Sequence, residues 1–330
     1  MKAIVVDSPG GLDKLVLRDV PAPDPGPEDV LISVVYAACN WSDLQKREGI
    51  YPHPVKYPAI MGLEVSGRVA AVGGKVKNLA VGDRVAAVTG PDLLGGYAEL
   101  CRVHKDYVIK LPDGICLALG AAFPVVGQTA YHLLHTAHHV RRDEIIVIHA
   151  ISGAVGSMTL QLALKAGARV IGTVGGRDKA RQARTLGAHL VVDRSSEDFV
   201  EAVLDFTKGR GADLVIDSLG GDILRRSFDV LRPFGRVINI GEASGYPDFD
   251  VRQALYQRST SLAGFEFLHA GPGSLRWKKG VHTLLDGFGQ GWLHLPVVAR
   301  FPLAAAAKAH ELLAGRGVQG KVLLAVNEDK

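Results

Sequence analysis

Residues Ile145-Ile-Val-Ile-His-Ala150-Ile-Ser-Gly153-Ala-Val-Gly156 narrow the possible folds more than any other stretch of this chain. An apolar run of this kind reads as a buried strand, and two glycines then make a tight turn. A helix pattern follows from Ser157 to Ala166, and a second apolar run from Ala168 to Val174. Together they form one βαβ unit. Its first turn aims backbone N–H groups and a helix N-terminus at whatever lies above it, which suits a dinucleotide pyrophosphate. The usual fingerprint is G-x-G-x-x-G. Here Ala150 replaces the first glycine, so the pattern is A-x-x-G-x-x-G, and the flanking strand and helix supply the context that the motif needs.

The chain has 330 residues, enough for two domains with a large core. From Leu117 onward strands alternate with helical stretches: Ala188–Asp193, Ala212–Asp217, Gly235–Ile240 and Thr260–Phe267 all read as strands. That grammar predicts a doubly wound parallel sheet. Before residue 120 the pattern is different. Short alternating segments (Val30–Tyr36, Gly62–Gly73, Val81–Val88, Gly96–Val103) point to a small, mostly antiparallel β-barrel, the second of these strands broken at Gly67. Past residue 268 the sequence reads as a helix, a short strand near Val297, an alanine-rich helix Ala304–Ala314 and a last strand Lys321–Val326, while Gly271 to Gln290 admits several loop readings.

A net charge of +4, from 38 basic and 34 acidic residues, is small and spread out, which argues against nucleic acid or an anionic membrane as the partner. No run approaches the ~18 apolar residues of a membrane span. Met1 to Asp7 turns acidic too early for a signal peptide and reads as a first strand. Three scattered cysteines, Cys39, Cys101 and Cys116, suit a reducing cytoplasmic compartment. The apolar strand Thr260–Phe267, as a sheet edge, would invite pairing with a second copy, so a homodimer through that edge is expected.

Several motifs together carry a resemblance that runs essentially end to end. They are Asn40-Trp-Ser-Asp43 followed by Arg47-Glu-Gly-Ile-Tyr51-Pro, Gly62-Leu-Glu64-Val-Ser-Gly67, Val81-Gly-Asp-Arg-Val85, Gly127-Gln-Thr-Ala-Tyr131, the glycine turn, and Gly320-Lys-Val-Leu323. With these motifs the chain resembles the medium-chain dehydrogenase/reductase superfamily, and within it the zinc-independent quinone oxidoreductases related to zeta-crystallin. The resemblance implies a GroES-like, mostly antiparallel catalytic domain (1–122 and 268–330) with a Rossmann nucleotide domain (123–267) inserted. It also implies NADPH as cofactor.

Zinc members of that superfamily have histidine where this chain has Leu63, and a cysteine ligand where Asn40 aligns. A leucine cannot ligate zinc, and Cys39, one residue away on a strand, would face the opposite side. No metal site is expected. His132, His135, His138 and His139 are read as solvated imidazoles on a helix ahead of the nucleotide fold. Val174 ends the second nucleotide strand where NAD-preferring folds place a carboxylate, and Gly175-Gly-Arg177-Asp-Lys179 follows. Losing the carboxylate and gaining Arg177 and Lys179 favours a 2′-phosphate, with Gly175 leaving room for it. The resemblance adds Ser152, Gly153, Ala154 and Val155 over the pyrophosphate, Leu219, Gly241 and Ser244 beyond later strands, and Phe265 and Phe267 on the nicotinamide side. Thr173 and Lys321 complete the candidate cofactor contacts.

Hydride transfer without a Lewis acid needs an acceptor that is already activated, such as a quinone or a conjugated enone. By resemblance Asn40 donates through its amide, Tyr51 donates through its hydroxyl and supplies a proton, and Thr129 lies near the nicotinamide. Three functions follow: NADPH-dependent reduction of quinones, reduction of conjugated C=C bonds in enals, enones or enoyl thioesters, or NADPH binding without catalysis. An acyl-CoA substrate would want basic residues at the cleft mouth, for which Lys46, Arg47 and Lys56 are available.

Overall fold

The strand Ile145–His149 is buried along its whole length and lies at the centre of a six-stranded sheet. In the computed structural model, which describes residues 1–329, the order is Leu190–Asp193, Arg169–Val174, Ile145–His149, Ala212–Asp217, Leu231–Asn239, Ser261–Gly264. Every pairing is parallel. The order reverses between the central strand and its successor, the switch point at which doubly wound sheets bind ligands beyond their strand C-termini. Val147, Ile171, Val192, Val215 and Val237 meet Phe199, Leu224 and Phe228 in the core beneath the helices.

Two compact units emerge. One comprises residues 1–126 with 271–330, and the other residues 127–270. The second is the Rossmann-like unit just described. In the first, a seven-stranded sheet runs Val297–Pro302, Lys321–Ala325, Asp29–Cys39, Glu64–Val72, Arg84–Val88, Val108–Lys110, with Leu100–His104 also paired to Asp29–Cys39. Only its first pair is parallel. This is the GroES-like architecture, and the C-terminal strands complete its sheet.

Gly67 does not break its strand, as the sequence suggests. The strand Glu64–Val72 continues through it, and the glycine is there because a Cβ would stand 1.9 Å from the Ser33 carbonyl oxygen. The expected edge strand Thr260–Phe267 is shorter, Ser261–Gly264, and Phe267–Ala270 closes into a 3₁₀ turn. The stretch after Gly271 is a helix, Leu275–Gly289, capped by Ser274, whose hydroxyl accepts the Trp277 N–H. It buries Trp277, Gly280, Leu284 and Gly287, one stripe at helical spacing.

The histidine cluster also departs from its expected setting. The helix Pro124–His132 runs on into a wider turn, Leu133–Ala137, and His132 is fully buried with Nδ1 2.8 Å from Thr136 Oγ1. His138 pairs with Glu144 at 3.0 Å. His132 and His138 are thus packing elements rather than solvated imidazoles, His135 is half-buried, and His139 is exposed as expected. Among the described residues, no three His, Cys, Asp or Glu side chains are grouped to hold a metal ion, and no helix is long and apolar enough to cross a membrane.

Candidate active site

The glycine turn has the shape that the motif requires. Ala150 takes the left-handed conformation at φ 50°, where a glycine would carry less strain. Ile151 returns its N–H to the Thr173 carbonyl, and Gly153 to Ala150. The helix Ala154–Lys165 then starts with no side-chain cap, so its first N–H groups are left for a ligand. Gly156 must be glycine, because a Cβ there would lie 2.5 Å from the Ala150 oxygen and 2.7 Å from Ile151 Cα. Ser152 is buried, and Gly153, Ala154 and Val155 are half-buried along the same turn.

At the end of the strand Leu190–Asp193, Asp193 organises the Gly175-Gly176 loop that follows the strand Arg169–Val174, a role the sequence reading missed. Its Oδ1 accepts the Gly176 N–H at 2.8 Å, the Ser195 N–H at 3.0 Å and the Ser195 hydroxyl at 2.7 Å. Those bonds, the Ser195 pair foremost, hold its carboxyl below the usual range. The loop places Arg177 in solvent and Lys179 half-buried on the first turn of the helix Arg177–Thr185. Beside them stands Arg194, also missed. Its buried Nε has no hydrogen-bond partner among the described residues, and a Cβ on Gly175 would sit 3.7 Å from its Nη2. A partly buried guanidinium with an unmet donor, next to a glycine loop at the C-terminal edge of a parallel sheet, fits an anionic group.

Leu219 is buried and Gly241 half-buried beyond the next two strands, while Ser244 is exposed; Phe265 and Phe267 flank the end of the edge strand. Thr173 has a different setting. It is sealed from solvent, and its Oγ1 lies 2.8 Å from His149 Nδ1.

In the first unit, Asn40 sits at the junction of the strand Asp29–Cys39 and the helix Trp41–Glu48, as that helix's N-cap residue. Its backbone N–H donates to Asp43 Oδ2 at 2.9 Å, while Gly62 N–H donates to Asp43 Oδ1 at 3.2 Å. Asp43 is fully buried, and burial pushes its carboxyl up to about 6. The Tyr97 hydroxyl serves the same carboxylate. Behind it lies His310, with Tyr97 Oη 3.2 Å from Nε2 and Arg47 Nη1 3.3 Å from Nδ1. Arginine can only donate, so Nδ1 accepts and the neutral ring donates through Nε2 to Tyr97, which passes its own proton toward Asp43.

The Asn40 side chain faces a buried ion pair. Lys321 Nζ donates to Asn40 Oδ1 at 2.7 Å and to Glu64 Oε1 at 2.8 Å, and Asn40 Nδ2 donates to Glu64 Oε1 at 3.0 Å. Glu64 Oε2 accepts the Val125 N–H at 2.7 Å. The ammonium of Lys321, 2% exposed, is thus engaged inside this unit. Tyr51 is half-buried on the following loop, between His53 (ring centroids 5.6 Å apart) and the Lys46 ammonium, 4.7 Å from its ring centroid. Thr129 is almost wholly buried on the helix Pro124–His132. Of the three basic residues considered for an acyl-CoA, two are not surface charges. Lys46 donates to the Asp92 and Leu93 carbonyls from a buried position, and Arg47 is buried against Gly10 and His310.

Two family models cover most of this architecture: an alcohol dehydrogenase GroES-like domain over residues 26–113 and a zinc-binding dehydrogenase over residues 154–285. A quinone oxidoreductase of Pseudomonas aeruginosa is 35% identical, with 96% of each chain covered. A 2-haloacrylate reductase of a Burkholderia species is also 35% identical, over 98% of each. The structure of Escherichia coli quinone oxidoreductase complexed with NADPH superposes with a TM-score of 0.93 at 30% identity, covering 98% of this chain and all of that one. The chain therefore belongs to the medium-chain dehydrogenase/reductase family, in its zinc-independent quinone oxidoreductase group.

Proposed function

We propose that this protein is an NADPH-dependent oxidoreductase that reduces quinones. The observation that carries the reading is the end-to-end likeness to quinone oxidoreductases, one of them solved with NADPH, joined to a glycine turn and an unpaired Arg194 that fit that dinucleotide. Bound NADPH supplies the hydride. The uncapped helix N-terminus and the Ser152–Val155 backbone take the pyrophosphate. Arg177, Lys179 and Arg194 share the 2′-phosphate, and Gly175 leaves it room. Leu219, Gly241, Ser244, Phe265 and Phe267 line the remainder of the nucleotide. Thr173, whose hydroxyl is engaged by His149, supports the sheet beneath it.

On the acceptor side, Asn40 gives an amide N–H to the oxygen on which charge develops, and Tyr51 hands that oxygen a proton. Thr129 stands at the nicotinamide. A quinone needs no stronger electrophilic help than hydrogen-bond donors such as an amide and a phenol. A second reading, reduction of an activated C=C bond, is favoured by the 2-haloacrylate reductase relative. The burial of Lys46 and Arg47 weakens its acyl-CoA form.

The deciding experiment follows NADPH consumption with para-quinones, 2-haloacrylates, enones and an enoyl thioester. Quinone turnover well above the others supports the first reading. Preference for the acrylates or enones replaces it with the second. Tight NADPH binding with no turnover on any acceptor leaves a non-catalytic binding protein. We also infer a cytoplasmic homodimer joined through the Ser261–Gly264 edge strand. A monomeric mass by sedimentation would refute the dimer.

A further inference from the structure

We infer that Lys321 is a positioning residue for Asn40, fixing the orientation of its carboxamide and strengthening it as a donor. The inference rests on the reading of Asn40 as the acceptor's hydrogen-bond donor.

Register brings the two residues together. Val322 pairs with Cys39 in the antiparallel ladder, so the preceding Lys321 comes level with Asn40 just as the strand gives way to helix. The Lys321 side chain is 3% exposed and that of Glu64 is not exposed at all, so the ion pair lies in a medium where electrostatic contacts are strong and unmatched ones costly. The amide has one permissible orientation. Turning it over would press its NH2 group against the ammonium and its oxygen against the Glu64 carboxylate, two like contacts in place of two complementary ones.

In the orientation observed, Oδ1 belongs to Lys321 and one Nδ2 hydrogen to Glu64. The second hydrogen has only the Ala38 carbonyl at 3.4 Å, a long contact that a ligand oxygen can displace. The ammonium 2.7 Å from Oδ1 draws electron density through the amide and makes that remaining N–H a better donor. Glu64 balances the charge and, through Val125, anchors the pair to the start of the helix Pro124–His132. Lys321 acts on the reaction through Asn40 and not through the cofactor's phosphates.

The test uses the full-length protein as Lys321→Met, Lys321→Arg, Asn40→Ala and the double variant Asn40→Ala/Lys321→Met. For each, NADPH affinity is measured by titration, and kcat and KM with para-benzoquinone. Lys321→Met should lower kcat about ten- to hundredfold, less than the loss of an oxyanion-hole donor itself because Asn40 remains, and leave the NADPH Kd within about twofold. Lys321→Arg should recover part of the loss because the charge persists. In the Asn40→Ala background, Lys321→Met should change kcat by less than about twofold, since residues acting as a unit are not additive.

A weakened NADPH Kd with kcat intact would return Lys321 to the cofactor and overturn the inference. So would losses that multiply in the double variant. If Asn40→Ala turns over like the parent, the reading of Asn40 itself fails. If Asn40→Ala is impaired but Lys321→Met is not, only the inference falls. Should Lys321→Met not fold, the charge-free pair Glu64→Gln/Lys321→Met carries the test. It leaves no lone buried charge, and full parental kcat in it would refute the role of the ammonium.

Discussion

His149→Gln should flatten the acid sensitivity of the nucleotide unit. His149 is fully buried on the central strand, edge-on to Phe199 with ring centroids 5.1 Å apart. The Ser227 hydroxyl donates to the Ile223 carbonyl at 2.7 Å, so its oxygen must accept from His149 Nε2 at 3.0 Å. Nδ1 is then the acceptor of the Thr173 hydroxyl, and the ring is neutral. Burial first, and the nearby Arg194 charge second, push His149 down from its ordinary 6.5 to about 3. Between those values an unfolded chain takes up a proton that the folded one refuses. The stability His149 confers is therefore complete above about pH 6.5 and is lost as pH falls toward 3, at about 1.4 kcal/mol per unit. From pH 6.5 to 5 that amounts to about 2 kcal/mol.

The parent's own slope mixes several groups, because His310 behaves alike while Asp43, raised to about 6, gains stability over part of the same range. The difference between parent and variant isolates His149. All three tryptophans, Trp41, Trp277 and Trp292, lie in the other unit, so their fluorescence is the wrong probe. Amide exchange of the strand Ile145–His149, read by mass spectrometry across a pH series, reports the right one. The variant should start about 1–2 kcal/mol less stable at pH 7.5 from lost hydrogen bonds and packing, then converge on the parent as pH falls. Parallel stability curves would mean that the ring is protonated in the fold and that this reasoning is wrong.

Ala150→Gly should raise stability by about 0.5–1 kcal/mol in denaturant melts, because the strain at φ 50° outweighs the added chain entropy. Gly67→Ala, whose Cβ would stand 1.9 Å from a backbone oxygen, should cost more than about 3 kcal/mol and show as poor recovery of folded protein. Asp198→Ala removes the cap that accepts the Val200 and Glu201 N–H groups, along with the Arg226 pair, for a loss of about 1 kcal/mol in the same melts. Arg194→Ala should weaken NADPH binding about tenfold and leave NADH nearly unchanged. Equal losses for both dinucleotides would remove Arg194 from the 2′-phosphate.

The nucleotide unit was the more legible half, for a physical reason. Its central strands are covered on both faces, so they appear in sequence as unbroken apolar runs, and a glycine turn at Gly153 and Gly156 punctuates the first of them. The helix Leu275–Gly289 was legible only as a helix somewhere past residue 268, without bounds. It contains Gly280, Gly287 and Gly289, which local propensity counts against a helix; two of the three are buried, and Gly287 is packed so closely that a Cβ would lie 2.5 Å from Leu293. Tertiary packing overrides propensity there. The edge strand was overread because its apolar run continues into a turn, and periodicity cannot locate where hydrogen bonding stops.

The candidate site divides along the same line. Arg177 and Lys179 could be named because a local motif fixes their place, whereas Asp193 and Arg194 end a strand with nothing in their neighbours to distinguish them from turn residues. The Asn40 corner is harder still, since Lys321 lies 281 residues from Asn40 and 257 from Glu64. Each of these residues alone has an ordinary explanation: a helix cap, a strand-end lysine, a surface glutamate. Their meaning comes from burial, which no local pattern encodes. A lysine and a glutamate removed from water are tolerated only if each answers the other, and the amide caught between them loses the freedom to turn. The same desolvation that costs the fold stability at this corner is what lets a neutral asparagine act as a directed donor, so function here should depend on the ion pair staying dry as much as on Asn40 being present.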